Sequence, residues 1–253
     1  MYATRYVEIY DRLMRNRRKD YAGEAADVAT VVRERKPDAT SLLDVACGTG
    51  LHLEHFVGLF DRVLGLDISE DMLRSAKEQI PGLAVQQADM RDFQLDARFD
   101  AITCMFAIPH LDSPAELDAM IACLVRHLNP GGVIVIEPWF EPTEFIPGYI
   151  ATDVFRDGTR SIVRVSHSVL DPTRADRVLM QVHCIEADPA SGLRDMTENA
   201  QMSLFTREHF ETAFAKAGCV ATYSERPGGK RLWIGSRRPA TSPADDVAGD
   251  GHS

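Results

Sequence analysis

The sequence predicts an α/β protein: a mostly parallel, seven-stranded sheet with helices on both faces and an antiparallel β insertion. From residue 41 to 138, short apolar runs alternate with amphipathic helical patterns, which is typical of a parallel sheet covered on both sides. From 149 to 205 the pattern changes to alternating, β-branched stretches, which favour antiparallel strands. A helix and two further strands then follow. We therefore expect one domain with an elaboration.

The N-terminal part of the core region shows its elements in a regular order. Residues 1–40 are predicted to be helical, with an amphipathic helix from 24 to 36 that ends before Pro37. The following alternation predicts strands at 41–46, 62–67, 84–87, 100–105 and 133–137, and helices at 70–80 and 115–128.

The insertion, residues 139–205, contains alternating stretches at 162–170, 177–186 and 201–205, with turn signals at Asp157-Gly158, Asp171-Pro172 and Ser191-Gly192. A helix at 207–217, ended by Gly218, and strands at 220–224 and 232–235 return the chain to the main sheet. The core is therefore expected to comprise 41–138 and 206–238. The tail, 239–253, has few large apolar residues and is expected to be disordered.

Composition excludes several classes of function. The 253 residues carry 28 Lys and Arg against 38 Asp and Glu, a net charge of −10, which repels a phosphate backbone, so no nucleic-acid partner is expected. No apolar run has the length of a signal peptide or a bilayer span, so we expect a cytoplasmic protein with no membrane partner. The five cysteines are widely spaced without a Cys-x-x-Cys pair, which predicts buried thiols and no metal site.

A glycine-rich turn marks the candidate ligand site. Asp44-x-x-x-Gly48-x-Gly50 falls between a predicted strand and helix, where glycines let the backbone approach a ligand closely. The next strand ends at Asp67, whose carboxylate suits a ribose diol. A dinucleotide fingerprint would need a third glycine where Leu53 stands, and Asp44 would repel a pyrophosphate but attract an ammonium group. We therefore predict a methionine-linked nucleoside, with a nicotinamide cofactor as the alternative.

A third predicted strand ends just before Asp89 and Met90. The Asp89 carboxylate and the next backbone N–H can hydrogen-bond to the edge of an adenine, and Met90 is expected to pack against the ring. By itself Asp89 would more often be a helix N-cap. Its place at the end of a strand next to those of Gly48 and Asp67 favours the ligand role, because open α/β sheets bind ligands at the carboxyl ends of their strands.

These motifs resemble those of the class I S-adenosylmethionine-dependent methyltransferases, which have a Rossmann-like fold. The matching segments are Asp44-Val-Ala-Cys-Gly-Thr-Gly50, Gly65-Leu-Asp-Ile-Ser69, Ala88-Asp-Met-Arg-Asp-Phe93 and Asn129-Pro-Gly-Gly132. More narrowly, the chain resembles the bacterial nucleotide-linked amino-sugar N,N-dimethyltransferases of macrolide deoxysugar pathways, nearly to Gly235. That match rests on Arg18-Lys-Asp-Tyr-Ala22, Ser41 to Gly50, His52-Leu-Glu-His-Phe56, Glu137-Pro-Trp139, Arg164-Val-Ser-His-Ser168 and Leu204-Phe205.

The resemblance implies S-adenosylmethionine as cofactor and a dTDP-amino sugar as acceptor. It implies that residues 1–40 cap the cofactor, with Tyr21 and Tyr10 near the methionine end and the reacting nitrogen. The insertion would wall the acceptor pocket, with Trp139 and Arg164 as contacts. The full predicted cofactor set is Tyr21, Asp44, Ala46, Gly48, Gly50, Asp67, Ile68, Asp89, Met90 and Met105.

The loop after the fourth strand departs from the pattern of the resembling family. That family carries serines before a glycine and a His or Tyr, whereas this chain is one residue shorter, with Ala107 and Pro109. His110 is the candidate base beside the acceptor, with Tyr10 as a second catalytic candidate. Lys230 and Arg231 are candidates to contact a diphosphate.

Two histidines near the glycine-rich turn, His52 and His55, are spaced i, i+3 and are expected at the surface rather than as metal ligands.

Methylation of another small metabolite, on oxygen or nitrogen, stays open as a second function. A cofactor-binding regulatory or scaffold domain is a third. The oligomeric state also stays open, with a homodimer as the candidate.

Overall fold

The computed structural model describes residues 4–16, 19–226 and 229–237. Seven strands form one sheet in the order β10-β11-β5-β4-β1-β2-β3, and β11 runs antiparallel to both of its neighbours. The strands of this sheet are β1 (Ser41–Val45), β2 (Arg62–Asp67), β3 (Ala84–Gln87), β4 (Phe99–Met105), β5 (Leu128–Glu137), β10 (Cys219–Arg226) and β11 (Lys230–Arg237). The helices are α1 (Thr4–Asn16), α2 (Tyr21–Arg35), α3 (Leu53–Phe56), α4 (Glu70–Gln79), α5 (Pro114–Arg126) and α6 (Arg207–Lys216).

The sheet's centre is buried on both faces, as the continuous apolar runs of its strands require. Every residue of β1 is buried, as are most of β4 and β5. One apolar cluster packs α5 and α6 against one face, and a second packs α2 and α3 against the other. The predicted α/β architecture is therefore confirmed.

Strand order places a crevice at the carboxyl ends of β1 and β4. From β1 the chain builds outward to β2 and β3, then returns to add β4 and β5 on the opposite side of β1. This reversal of direction separates the loops that follow β1 and β4, and open α/β sheets bind ligands at such a point.

The insertion forms a separate antiparallel sheet in the order β6-β7-β8-β9. Its strands are β6 (Tyr149–Asp157), β7 (Arg160–Asp171), β8 (Arg174–Asp188) and β9 (Gly192–Ser203). All three predicted turn signals fall at its hairpin connections, so the antiparallel prediction is confirmed. Two details were wrong: β6 was not assigned a strand range, and β9 begins nine residues before the predicted stretch and stops before Phe205.

Helix ends follow local capping chemistry. Helix α2 begins at Tyr21, earlier than predicted, because the Asp20 carboxylate accepts the Gly23 N–H at 2.8 Å. Gly218 follows α6 with φ +74°, the left-handed conformation expected of a residue that ends a helix.

The predicted disordered tail, 239–253, lies outside the described residues. Within the described ranges, no helix is long and apolar enough to cross a membrane.

Candidate active site

The turn after β1 folds through three residues of positive φ: Ala46 (58°), Gly48 (57°) and Gly50 (85°). A Cβ on Gly48 would meet no atom within 4 Å, so this residue faces open space above the sheet. A Cβ on Gly50 would lie 3.2 Å from the side chains of Ala76 and Ile80, so that glycine permits the turn to pack against α4. The turn thus leaves its backbone bare toward a ligand.

Asp67, the last residue of β2, is joined to this turn. Its carboxylate accepts the Gly48 N–H and the Ser69 N–H, both at 2.8 Å and on different oxygens. Each oxygen keeps a further lone-pair site for a hydroxyl group. Burial raises the pKa of Asp67, although the backbone N–H groups of Ser69, Gly48 and Ile68 oppose the shift. The geometry therefore fits a ribose diol.

Asp44 lies on β1 beneath the same turn and is 2% exposed. The Thr103 hydroxyl donates to its Oδ1 at 2.7 Å. Burial raises the pKa of Asp44 to about 6, despite the opposing effects of His52 and the Thr103 hydrogen bond. A buried carboxylate of this kind gains much from a cationic ligand, because the ligand would replace the hydration that burial removes.

Asp89 follows β3, so it shares the sheet edge with the turn and Asp67. Arg91 donates from its backbone N–H and from its guanidinium to this carboxylate, and these bonds lower the pKa of Asp89. Met90 is half-buried, whereas Ile68 is 62% exposed at the end of β2. Carboxylate, backbone and apolar groups at this edge fit the adenosine half of the predicted cofactor.

The loop after β4 carries the predicted catalytic histidine. Met105 ends the strand, and Phe106 follows with φ +63°, which is unusual for a residue with a side chain. His110 closes a 3₁₀ turn, Ile108–His110. Its side chain reaches solvent, yet crowding by surrounding atoms removes enough water to lower its pKa. A lowered pKa leaves the imidazole neutral near pH 7 and able to accept a proton.

The predicted tyrosines lie on the two N-terminal helices, Tyr10 on α1 and Tyr21 at the first position of α2. The Tyr21 ring stands edge-on to the His52 ring, with centroids 5.0 Å apart, directly after the glycine-rich turn. The expectation that His52 is a surface residue was wrong. Its side chain is buried because the Glu24 carboxylate, 2.8 Å from Nε2, lies above it on α2.

A narrow cleft opens beside the loop after β4. Half of its lining residues are aromatic, and the lining comes from the His110 loop, the end of β5, β9, β10, β11 and the start of α6: Ile108, Pro109, Pro138, Trp139, Phe140, Glu141, Ser203, Phe205, Arg207, Phe210, Tyr223 and Trp233. The Arg207 guanidinium lies 4.0 Å from the Tyr223 ring centroid. Trp139 was predicted, but Arg207 and Tyr223 were not, because only the fold brings them to the cleft.

The remaining predicted substrate residues are engaged with carboxylates. The Arg231 guanidinium pairs with Glu144 and lies 3.5 Å from the Trp139 carbonyl oxygen, on the rim of the cleft. Lys230 instead has its ammonium 3.5 Å from Glu24. Arg164 is buried in the insertion sheet, 3.3 Å from Asp153.

Comparison with known proteins identifies the family of this chain. Residues 42–132 match a methyltransferase domain family. The chain is 44% identical to a dTDP-3-amino-3,4,6-trideoxy-alpha-D-glucopyranose N,N-dimethyltransferase of Streptomyces venezuelae, over 93% of this chain and 99% of that protein. It is 42% identical to a dTDP-3-amino-3,6-dideoxy-alpha-D-glucopyranose N,N-dimethyltransferase of Streptomyces fradiae, over 92% and 91%.

The chain belongs to the amino-sugar N,N-dimethyltransferase family of class I methyltransferases. This methyltransferase superposes on Streptomyces venezuelae DesVI with a TM-score of 0.87 at 43% identity, covering 94% of this chain and all of that one. It superposes on CalS10, an S-adenosylmethionine-bound amino pentose methyltransferase from Micromonospora echinaspora, with a TM-score of 0.82 at 40% identity, covering 90% and 96%. The predictions of the enzyme class, fold and S-adenosylmethionine cofactor are confirmed.

Proposed function

We propose that this methyltransferase methylates the amino group of a dTDP-linked deoxyamino sugar in natural-product biosynthesis. The similarity over more than nine-tenths of the chain to enzymes named for that acceptor class carries the proposal. The aromatic cleft beside the predicted cofactor site supports it, because rings such as Trp139 can stack on a base or on the apolar face of a sugar.

We propose that the cofactor binds at the carboxyl ends of β1, β2 and β3, where Asp44, Asp67 and Asp89 lie. When bound, S-adenosylmethionine supplies a methyl group activated by a sulfonium. Asp67 would hold the ribose, the Gly48 backbone would admit the ligand, and Asp44 would pair with the ammonium of the methionine portion. Tyr21, Ala46, Gly50, Ile68, Asp89, Met90 and Met105 complete the proposed cofactor contacts.

The protein's remaining task is to align the acceptor and keep its amine neutral, because a protonated nitrogen has no lone pair for an in-line displacement. We assign to His110 acceptance of the proton lost by that amine. Its neutral state near pH 7 supports this role. Tyr10 would line the same space from α1, and Arg231 would meet the diphosphate on the cleft rim. Lys230 and Arg164 are further candidates for acceptor contacts, and a carboxylate engages each of them as Glu144 engages Arg231.

A substrate screen tests the proposal. Purified enzyme is incubated with dTDP-amino sugars, free amines and hydroxyl-bearing metabolites, and S-adenosylhomocysteine release is measured. We expect turnover with a dTDP-amino sugar, and mass spectrometry of the product counts the methyl groups added. Turnover confined to hydroxyl acceptors would favour the O-methyltransferase alternative. No turnover with any acceptor would favour a cofactor-binding domain without catalysis.

For the assembly, we propose a homodimer formed through the outer face of the antiparallel sheet. That face exposes Ile150 (63%), Val154 (61%), Val165 (41%) and Ile185 (43%), and exposed apolar patches often mark protein interfaces. Sedimentation should show the wild-type protein as a dimer. It should show Val165→Lys as a monomer, because the substitution places a charge in the proposed interface. A wild-type monomer would refute the proposal.

A cytoplasmic location is also proposed, since the cysteines of the described residues are free thiols.

A further inference from the structure

Lys19, just before α2, connects three separate segments at the edge of the active site. Its ammonium lies 2.9 and 3.3 Å from the two carboxylate oxygens of Glu137, the last residue of β5. It lies 3.4 Å from the Glu24 carboxylate on α2. It also lies over two rings, 5.7 Å from the Tyr21 centroid and 5.1 Å from that of Phe106.

Each partner of Lys19 is itself fixed to the site. Glu24 is 5% exposed. Its carboxylate also lies 2.8 Å from His52 Nε2 and 3.5 Å from the Lys230 ammonium. The Phe106 N–H donates to the Glu137 backbone oxygen at 3.3 Å. The charges of Lys19 and Lys230 balance those of Glu24 and Glu137, which allows these four groups to be partly buried.

The two rings under the ammonium belong to different segments of the proposed site. Tyr21 contacts His52, next to the glycine-rich turn, whereas Phe106 begins the loop that carries His110. Phe106 holds a positive φ that few residues with a side chain adopt, so contacts on its ring help to select this conformation. One cation therefore influences both the cofactor side and the acceptor side of the site.

We propose that Lys19 is a positioning residue for methyl transfer, acting through Tyr21 and Phe106. By binding Glu24 and Glu137 together, its ammonium holds the start of α2, the end of β5 and the loop after β4 in one arrangement. The proposal rests on the proposed function only in the choice of acceptor for the kinetic measurement.

Four proteins test it: wild type, Lys19→Met, Lys19→Arg and Lys36→Met. Lys36 is the matched control, because its ammonium also lies near two carboxylates, Asp38 at 3.1 Å and Asp100 at 3.7 Å, at the opposite end of α2. We expect Lys19→Met to raise the Kd for S-adenosylhomocysteine about tenfold by calorimetry, the scale of one charge-assisted contact. The kcat with a dTDP-amino sugar should also fall about tenfold, since near-attack geometry is lost. Lys19→Arg should stay within about threefold of wild type, because a guanidinium can still bridge both carboxylates.

A folded Lys19→Met protein whose Kd and kcat both stay within twofold of wild type would overturn the proposal. Lys19→Arg as impaired as Lys19→Met would do the same. If Lys19→Met does not fold, Glu137→Gln, which leaves the Lys19–Glu24 pair, must show the loss of kcat instead. A wild-type enzyme inactive on the amino sugar would refute the proposed acceptor alone, because the comparison of Kd values needs no acceptor.

Discussion

At the scale of single residues, Asp67 both fixes the glycine-rich turn and faces the proposed ribose site. Its carboxylate orders the Gly48 N–H and presents free lone pairs where the ribose is proposed to bind. Asp67→Ala should weaken S-adenosylhomocysteine binding by roughly 1.5–3 kcal/mol, as expected for lost hydrogen bonds to a charged group. Calorimetry measures the change, with Asp61→Ala, just before the same strand, as control. An unchanged Kd would show that the ribose lies elsewhere.

His110 gives the sharpest distinction between an amine and a hydroxyl acceptor. An amine needs no base once it is neutral, so His110→Ala should lower kcat by less than about 10²-fold, and a higher pH should recover part of the loss. The kcat–pH profiles of the variant, the wild type and His55→Ala measure this. A pH-insensitive loss of about 10⁴-fold would indicate an obligatory base and a hydroxyl acceptor.

The candidate site was predictable only where its chemistry is local in sequence. Asp44, Gly48 and Asp67 were found because turn geometry and strand ends leave a readable spacing. The Lys19 cluster was not, since Lys19 and Glu137 are 118 positions apart and fall in two separate segments whose contact only the fold creates. Burial of His52 was missed for the same reason, because its partner Glu24 lies on a different helix.

Among the elements, α1 is the one that joins the cofactor turn to the insertion. The Thr49 hydroxyl, in the glycine-rich turn, donates to Asp11 at 2.8 Å. On another side of the helix, Ile9 and Leu13 are buried among residues of β7 and β8. Arg12 adds an ion pair at 3.4 Å to Glu186, a buried carboxylate of β8. Helix α1 is thus held by both the core and the insertion sheet.

This contact predicts that α1 contributes to cofactor affinity. Asp11→Ala and Thr49→Val should each weaken S-adenosylhomocysteine binding by about 1 kcal/mol, because a loosened α1 no longer orders the turn. The double variant should be little worse than either single one, since both remove the same bond. Kd values of the four proteins measure the coupling, and Asp27→Ala on α2 serves as control. Fully additive losses would mean that the bond does not link helix and turn.

Prediction of elements succeeded where periodicity was strong and failed where polar residues interrupted it. The core strands are continuous apolar runs, so most of their positions were clear to within a few end residues. The exception is β5, which begins at Leu128, five residues before the predicted start, because Asn129-Pro-Gly-Gly132 interrupts its apolar pattern. Strand β9 instead carries the polar residues Arg194, Asp195, Glu198 and Asn199 before its buried end. Pairing with β8 makes it a strand, and that partnership is tertiary information.

For the whole molecule, the fold class followed from the succession of elements, but the strand order did not. Alternating strands and helices predict a parallel sheet without stating which strands are neighbours. The reversal that puts β4 beside β1 creates the crevice where the predicted acids gather. It also places Asp44, on the interior strand β1, deep inside the protein. The sheet thereby holds a buried ionisable group, which affects the stability of the entire domain.

Asp44 should make the free energy of unfolding depend on pH. Its folded pKa of about 6 exceeds the ordinary 3.8, so the folded protein binds this proton more tightly than the unfolded chain. The resulting stabilisation is complete below about pH 4 and is lost as the pH rises through about 6. Because an asparagine mimics the protonated state and can still accept the Thr103 hydroxyl, Asp44→Asn should match wild type near pH 4. Near pH 8 it should be more stable by up to about 3 kcal/mol.

Denaturant unfolding of both proteins without ligand, at several pH values from 4 to 8, measures this difference, with Asp38→Asn at an exposed site as control. The difference between variant and wild type isolates Asp44, because every other titrating group is common to both chains. A ligand that brings an ammonium group to Asp44 should reduce this difference, since the ammonium stabilises the ionised Asp44 of the wild type and finds no charge in the variant. S-adenosylhomocysteine should therefore stabilise wild type more than Asp44→Asn at pH 8. A constant difference across the pH range would show that the pKa of Asp44 is not raised in the folded protein. Equal stabilisation of both proteins by the ligand would show that Asp44 does not bind the ammonium.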